Sequence, residues 1–144
     1  LPLAAREEVL LCVENGEPWT VDILEALIKH YNDPHLAFIL DTGHLFFGNM
    51  EHGNDTLSEV VYRMAPYLRH THCQDMDSTE RDHEAVGKGV IDWNRFLSDL
   101  AAVRYSDCLM IEVQRQDYNE HMLYSRDTLV EAMEVAGLKV GSRE

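Results

Sequence analysis

Four short runs of strand-forming apolar residues punctuate the chain, at 9–13, 36–40, 67–73 and 108–113. Between them the apolar positions recur with a helical period. Thr20 can cap a helix that carries Ile23, Leu24, Leu27, Ile28 and Tyr31 on one face. Thr56 and Glu59 have the spacing of a capping box ahead of Leu57, Val60, Val61 and Met64. Asp92 can cap a helix with Phe96, Leu97 and Leu100 inward. A last helix runs through Leu129, Val130 and Met133, with Gly137 placed to stop it. The order is β-α-β-α-β-α-β-α, which predicts four parallel strands joined by right-handed helical crossovers. No linker, repeat or low-complexity tract divides residues 1–144, so a single α/β domain is expected.

The polar residues at the strand ends carry the chemistry. Each apolar run closes on a group that binds protons or metals: Glu14, Asp41, His72 and Glu112. From 14 to 41, 41 to 72 and 72 to 112 the gaps are 27, 31 and 40 residues. A (β/α)₈ barrel spends about 31 residues on each unit. The spacing therefore reads as one strand end per barrel unit, with the four groups at the C-terminal mouth where barrels hold their chemistry. Alternation along a strand puts Cys12 with Glu14, Ile39 with Asp41, His70 with His72, and Met110 with Glu112.

Three carboxylates and an imidazole on one mouth repel or take up protons unless a cation neutralises them. Three oxygens and one nitrogen suit one divalent ion: Mn²⁺, Mg²⁺ or Co²⁺, with Zn²⁺ also compatible. Around this quartet lie further candidates. In Asp41-Thr42-Gly43-His44 the glycine would let the backbone turn so that Asp41 and His44 both face the mouth. Asn15 could orient the Glu14 carboxylate. His70, one layer below His72, suits a hydrogen bond to a ligand. The polar segment 81–93 is long enough to be a functional loop, with Arg81, His83 and Lys88 as candidate substrate contacts. Trp19, Phe46 and Phe47 read first as core or oligomer contacts, with a pocket wall as the alternative.

Composition narrows the partners. Twelve basic against 26 acidic residues leave a net charge of −14, with eight histidines besides. Such a surface repels phosphate backbones, so nucleic acid is not an expected partner. No apolar run reaches the roughly 18–20 residues of a membrane helix, and the first residues do not have the form of a secretory leader. The chain opens on Leu1 rather than Met, as if partway through an element, and is expected to be a fragment or processed chain. Cys12, Cys73 and Cys108 all lie in apolar runs, which predicts reduced core thiols and a cytoplasmic location.

These motifs together resemble the xylose-isomerase-like family of sugar-phosphate isomerases and epimerases. The resemblance rests on Val13-Glu14-Asn15, Leu40-Asp41-Thr42-Gly43-His44 and His70-Thr71-His72. It continues through Asp82-His83, Gly87-Lys88-Gly89-Val90-Ile91-Asp92-Trp93 and Ile111-Glu112-Val113. They occur in family order over nearly the whole chain. The resemblance implies the C-terminal half of a (β/α)₈ TIM barrel, the fifth to eighth strands. It implies that Glu14, Asp41, His72 and Glu112 are metal ligands, that Glu14 and Glu112 also move protons, and that His44 contacts substrate. It places His83 in a segment that closes over substrate. In the related endonuclease IV branch an Asp precedes the loop histidine by two positions, and here that position is Arg81.

The expected function is a metal-dependent sugar or sugar-phosphate isomerase or epimerase working through an enediolate, with a manganese-type ion. A dehydratase or lyase on the same groups, and a non-catalytic half barrel serving as an assembly module, are the alternatives; an endonuclease IV-like repair enzyme ranks below both. The arithmetic also predicts an assembly. At about 31 residues per unit, 144 residues make between four and five units, too few to close a barrel. The edge runs 9–13 and 108–113, and an open layer of Cys12, Ile39, Leu68 and Met110, would need covering. A second copy, or a complementary N-terminal half-barrel, is the expected partner.

Overall fold

The apolar runs pair in chain order. A computed structural model describes residues 1–46, 56–77, 79, 81–114 and 118–139. Strands β1 (Leu11–Glu14), β2 (Leu36–Asp41), β3 (Leu68–Cys73) and β4 (Leu109–Ile111) form one sheet of order β1-β2-β3-β4, every neighbouring pair parallel. Helix α1 (Pro2–Arg6) precedes β1. Helices α2 (Val21–Tyr31), α3 (Leu57–Met64), α4 (Trp93–Ala102) and α5 (Tyr118–Val135) follow the strands in turn. The expected alternation stands. Helix α1 is an addition, and Pro2 in its first turn suits a position whose N–H would have no helical acceptor.

The helix boundaries follow local chemistry. The Thr20 hydroxyl accepts from the Ile23 amide, and the Asp92 carboxylate from the Arg95 amide at 3.0 Å. Thr56 and Glu59 form both halves of a capping box. Gly137, at φ 72°, ends the last helix in the left-handed conformation, and the Leu138 amide bonds back to the Met133 carbonyl at 2.9 Å.

The two faces of the sheet have different fates. Phe38, Leu40, Thr71 and Cys73 are sealed. Phe38, Leu40 and Cys73 belong to one core with Leu24 and Ile28 of α2, Val60, Val61 and Met64 of α3, Phe96, Leu97 and Leu100 of α4, and Leu129 of α5. The other face carries Cys12, Ile39, His70 and Met110, half-buried except for Met110, which is 45% exposed. β1 and β4 are the sheet's edges.

Several expectations are corrected. The register slips between Phe38 and Ile39, so that Phe38 pairs with Leu68 but Ile39 pairs with His70. Arg69 is the extra residue of a bulge, and a bulge reverses which face later residues point to. Leu68 therefore packs into the helix-side core at 2% exposure, and His70 takes its expected place beside Ile39 on the open face. The edge strands are shorter than their apolar runs, and Val9 and Leu10 are exposed. Only Cys73 is a core thiol, since Cys12 lies on the half-covered face and Cys108 precedes its strand and is exposed. Helix α2 turns Val21, Leu24 and Ile28 inward, while Ile23 and Tyr31 face out. Trp19 is exposed, Phe46 packs against the core, and Phe47 lies outside the described residues.

The segment after β3 is folded around one carboxylate. Asp75 is fully buried and accepts from the amides of Met76 (3.0 Å), Gly87 (2.9 Å) and Ile91 (3.1 Å) and from the Trp93 indole (2.8 Å). Gly89 passes so close that a Cβ there would lie 2.2 Å from the Met76 carbonyl oxygen and 2.3 Å from Asp75 Oδ1. Asp75→Ala would strand several buried donors, each costing about 1–3 kcal/mol. The expected result is a urea midpoint lowered by the equivalent of at least about 3 kcal/mol at unchanged m, read by circular dichroism.

Candidate functional site

The carboxyl ends of the four strands meet at one point. Glu14 ends β1, Asp41 ends β2, His72 is the penultimate residue of β3, and Glu112 directly follows β4. The Glu112 amide continues the ladder by bonding the Cys73 carbonyl at 3.1 Å. His72 Nδ1 sits among the carboxylates: 2.9 Å from Glu112 Oε2, 3.2 Å from Glu14 Oε1 and 3.9 Å from Asp41 Oδ2. One donor atom from each of the four lies within 4.8 Å of every other.

Asn15 and Thr42 set the backbone that carries these groups. The buried Asn15 amide bonds the Asp41 backbone both ways, donating to its carbonyl and accepting from its N–H, each at 2.9 Å. It thus ties β1 to β2 at the site instead of holding the Glu14 carboxylate. Thr42 Oγ1 donates to the Gln74 carbonyl at 2.6 Å and accepts from the Gln74 amide at 3.1 Å, joining the ends of β2 and β3. Asp41 Oδ1 accepts from the His44 amide at 2.7 Å, so the carboxylate also caps the helical turn over 42–46. Gly43 is part of that turn and has no positive φ. Its role is space, since a Cβ there would lie 2.6 Å from Gln74 Oε1.

A second imidazole supplies the countercharge. His44 Nδ1 lies 3.4 Å from Glu14 Oε1 and 3.5 Å from Asp41 Oδ2, and its Nε2 lies 3.7 Å from Asp82 Oδ2. The hydrogen bond that His44 donates to Glu14, together with the charges of Asp41, Glu14 and Asp82, outweighs burial and raises His44 to about 9. The same bond lowers Glu14, helped by His72. Asp41 goes the other way, pushed up to about 6 chiefly by burial. The cluster thus sets the Glu14 and Glu112 carboxylates against the His44 imidazolium and beside Asp41, a carboxyl group that resists ionisation.

The remaining sequence candidates divide. His83 comes to the site: its Nε2 is 3.4 Å from Glu112 Oε1, its Nδ1 is 3.1 Å from Asp82 Oδ1, and its ring meets His44 edge-on at 5.4 Å. His44, Asp82 and His83 form a second group of three convergent metal-type donors. His70 packs its ring edge against His72 at 5.3 Å, and burial lowers its affinity for a proton. Arg81 is held elsewhere, by Asp77 at 2.7 Å and Glu84 at 3.8 Å. Lys88 lies 4.3 Å over the Tyr124 ring. Neither basic side chain is brought to the quartet. Gln74 and Asp75 were not singled out by sequence reasoning. Their signal was the one that marked the others, polar residues directly after an apolar strand.

The pH response has a definite sign. Asp41 is raised, so its contribution to stability is fully present below pH 3.8 and is lost as pH rises through about 6. His44 is raised too, and its contribution is fully present below 6.5 and lost as pH rises through about 9. Metal-free protein should therefore lose thermal stability in two steps on going from pH 4 to pH 10. Asp41→Asn should remove the lower step and His44→Gln the upper, in melting curves followed by circular dichroism.

A family model described as xylose isomerase-like TIM barrel matches residues 1–136. No curated protein matches the chain. Among solved structures it is similar to a xylose isomerase domain protein from Planctomyces limnophilus, at 22% identity and a TM-score of 0.76 over 95% of this chain and 49% of that one. It is also similar to an L-ribulose 3-epimerase, at 19% identity and a TM-score of 0.73 over 94% and 51% of the two chains. A 3-keto-D-glucoside 4-epimerase from E. coli aligns at 20% identity and a TM-score of 0.68, over 88% and 49%. The chain spans about half the length of these structures.

Proposed function

The chain belongs to the xylose isomerase-like TIM barrel family, and from that premise we propose that it carries the metal-binding and proton-transferring half of a sugar isomerase or epimerase. The observation that carries this reading is the convergence of Glu14, Asp41, His72 and Glu112. A divalent cation fits them on chemical grounds. Glu112 Oε2 is buried and makes no hydrogen bond, its contact with His72 Nδ1 at 2.9 Å being an ion-pair distance only, and three carboxylates around one imidazole nitrogen form an oxygen-rich donor set. Mn²⁺, Mg²⁺ and Co²⁺ suit that set. The names of the similar structures, epimerases acting on L-ribulose and a 3-keto-D-glucoside, support a ketose or keto-sugar substrate.

A carbon-bound proton beside a carbonyl is too weakly acidic to leave in water. A bound divalent ion supplies the Lewis acidity that stabilises the resulting enediolate charge. The residues do the rest. Glu14 and Glu112 stand on the two outer strands, on opposite sides of His72. In this reading one removes the proton and the other returns it to the opposite face, which inverts the carbon; return to the adjacent carbon interconverts aldose and ketose. The bond that His44 donates lowers the pKa of Glu14, which is therefore a carboxylate at neutral pH. His44 and His83, at the rim, are placed to hydrogen-bond substrate hydroxyls. Asp41, the most buried of the four, holds position instead of moving protons.

Purified protein loaded with Mn²⁺ or Co²⁺ should hold one ion per chain, and Asp41→Ala should remove it, read by elemental analysis. Full metal content in that variant would refute the site. In the assembled protein, Glu14→Gln and Glu112→Gln should each lower turnover by roughly 10²–10⁴, with deuterium from solvent entering the product carbon of the parent. Unchanged turnover in Glu112→Gln would end its assignment as a proton carrier.

The same reading requires a cover for the open face of Cys12, Ile39, His70 and Met110 and for the edges β1 and β4. A complementary four-stranded half-barrel or a second copy of this chain meets that need. Light scattering at micromolar concentration should show an assembled species, alone or with the complementary half. A lone monomer with one cooperative unfolding transition would show that the half folds without a partner.

A further inference from the structure

Gln74 follows β3 and is fully buried. Its side chain bridges two parts of the site. Nε2 donates to both oxygens of Asp41, at 3.0 and 2.8 Å. Oε1 accepts the backbone N–H of His83. The chemistry allows one orientation only, since a carboxylate needs a donor and an amide N–H needs an acceptor. An uncharged amide is the group that offers both at its tip; a lysine lacks the acceptor and a glutamate the donor. The surroundings keep the amide in place. Thr42 holds the Gln74 backbone through its N–H and its carbonyl, and the missing side chain at Gly43 leaves the space the amide fills.

We infer that Gln74 is a positioning residue that couples the proposed metal ligand Asp41 to the segment bearing His83, so that ordering one orders the other. This deepens the reading of the site as a metal centre and rests on it. Occupancy at the strand ends would then be transmitted, through one amide group, to the placement of a rim histidine. His83 sits at φ 57°, a left-handed conformation uncommon outside glycine, and the Gln74 acceptor holds its N–H there.

The test uses the whole chain, with Co²⁺ as probe. Affinity is read from its visible absorption in competition with a chelator, and the exchange rate of the His83 amide is read by NMR with and without the ion. In the parent, Co²⁺ should slow that exchange. Gln74→Met removes donor and acceptor at similar volume. It should weaken Co²⁺ binding by about 10–100-fold, the usual effect of losing a group that orients a ligand, and leave the His83 amide fast at saturating Co²⁺. Gly43→Ala keeps Gln74 but pushes its amide aside, and its backbone conformation tolerates alanine. It should shift both readouts in the same direction, and it serves where Gln74→Met fails to fold. Parent-like affinity in a folded variant, or a His83 amide that still responds to Co²⁺ as in the parent, would overturn the coupling. A parent chain that takes up no Co²⁺ is a different failure, that of the metal reading. In that case loss of His83 protection in both metal-free variants would still establish the Gln74 link, and its retention would refute it.

Discussion

Three carboxylates at the end of one sheet must be kept from repelling one another. Most of what surrounds Glu14, Asp41 and Glu112 follows from that constraint. Burial removes the water that would otherwise screen them, and it is felt most at Asp41, which has no exposure and titrates near 6. His44 lends positive charge from the helical turn after β2, and His72 stands between the two glutamates. Asn15, Thr42 and Gln74 contribute no charge. They hold backbone and carboxylate where the repulsion is greatest. A site so arranged is costly to assemble for stability alone.

The same constraint explains the contrast between the sheet's faces. The helix side is closed by aliphatic and aromatic packing that needs no charge. The other side has polar groups at its carboxyl end and Cys12, Ile39, His70 and Met110 below them, only partly covered. In a closed barrel that second face is the interior. Here the chain aligns to about half of each similar structure, and the half-covered layer is the physical counterpart of that fraction.

Two acidic residues outside the quartet show how the loop after β3 is held to the site. Asp75 gathers amides from Gly87 and Ile91 and the indole of Trp93, which holds Gly87, Ile91 and Trp93 back against the end of β3. Asp82, next to His83, faces His44. The first is an interior anchor and the second a rim group, so residues close in sequence serve different layers of one site.

Strand number, strand order, helix caps and the four convergent groups were legible in the sequence because each rests on short-range chemistry. Apolar alternation marks a strand wherever it packs. Thr56-Glu59 caps a helix by itself, and one ionisable residue at each strand end needs only the parallel topology to bring it to the others. The tertiary structure alone decided the rest. No local pattern announces the bulge at Arg69 that sends Leu68 to the core while His70 keeps its expected place on the open face, because register is settled by the neighbouring strand. Gly43 reads locally as a turn residue, and only the approach of Gln74 from β3 shows that it is there for space. Arg81 and Lys88 read only as basic residues of a polar loop, and the tertiary structure alone sets Arg81 against Asp77 and Lys88 over Tyr124. His44 reads as a substrate contact at the mouth, and only the carboxylates of Glu14 and Asp41, brought beside it against the effect of burial, make it the site's cation, since a pKa depends on charges brought near through space and not on the residues adjacent in the chain.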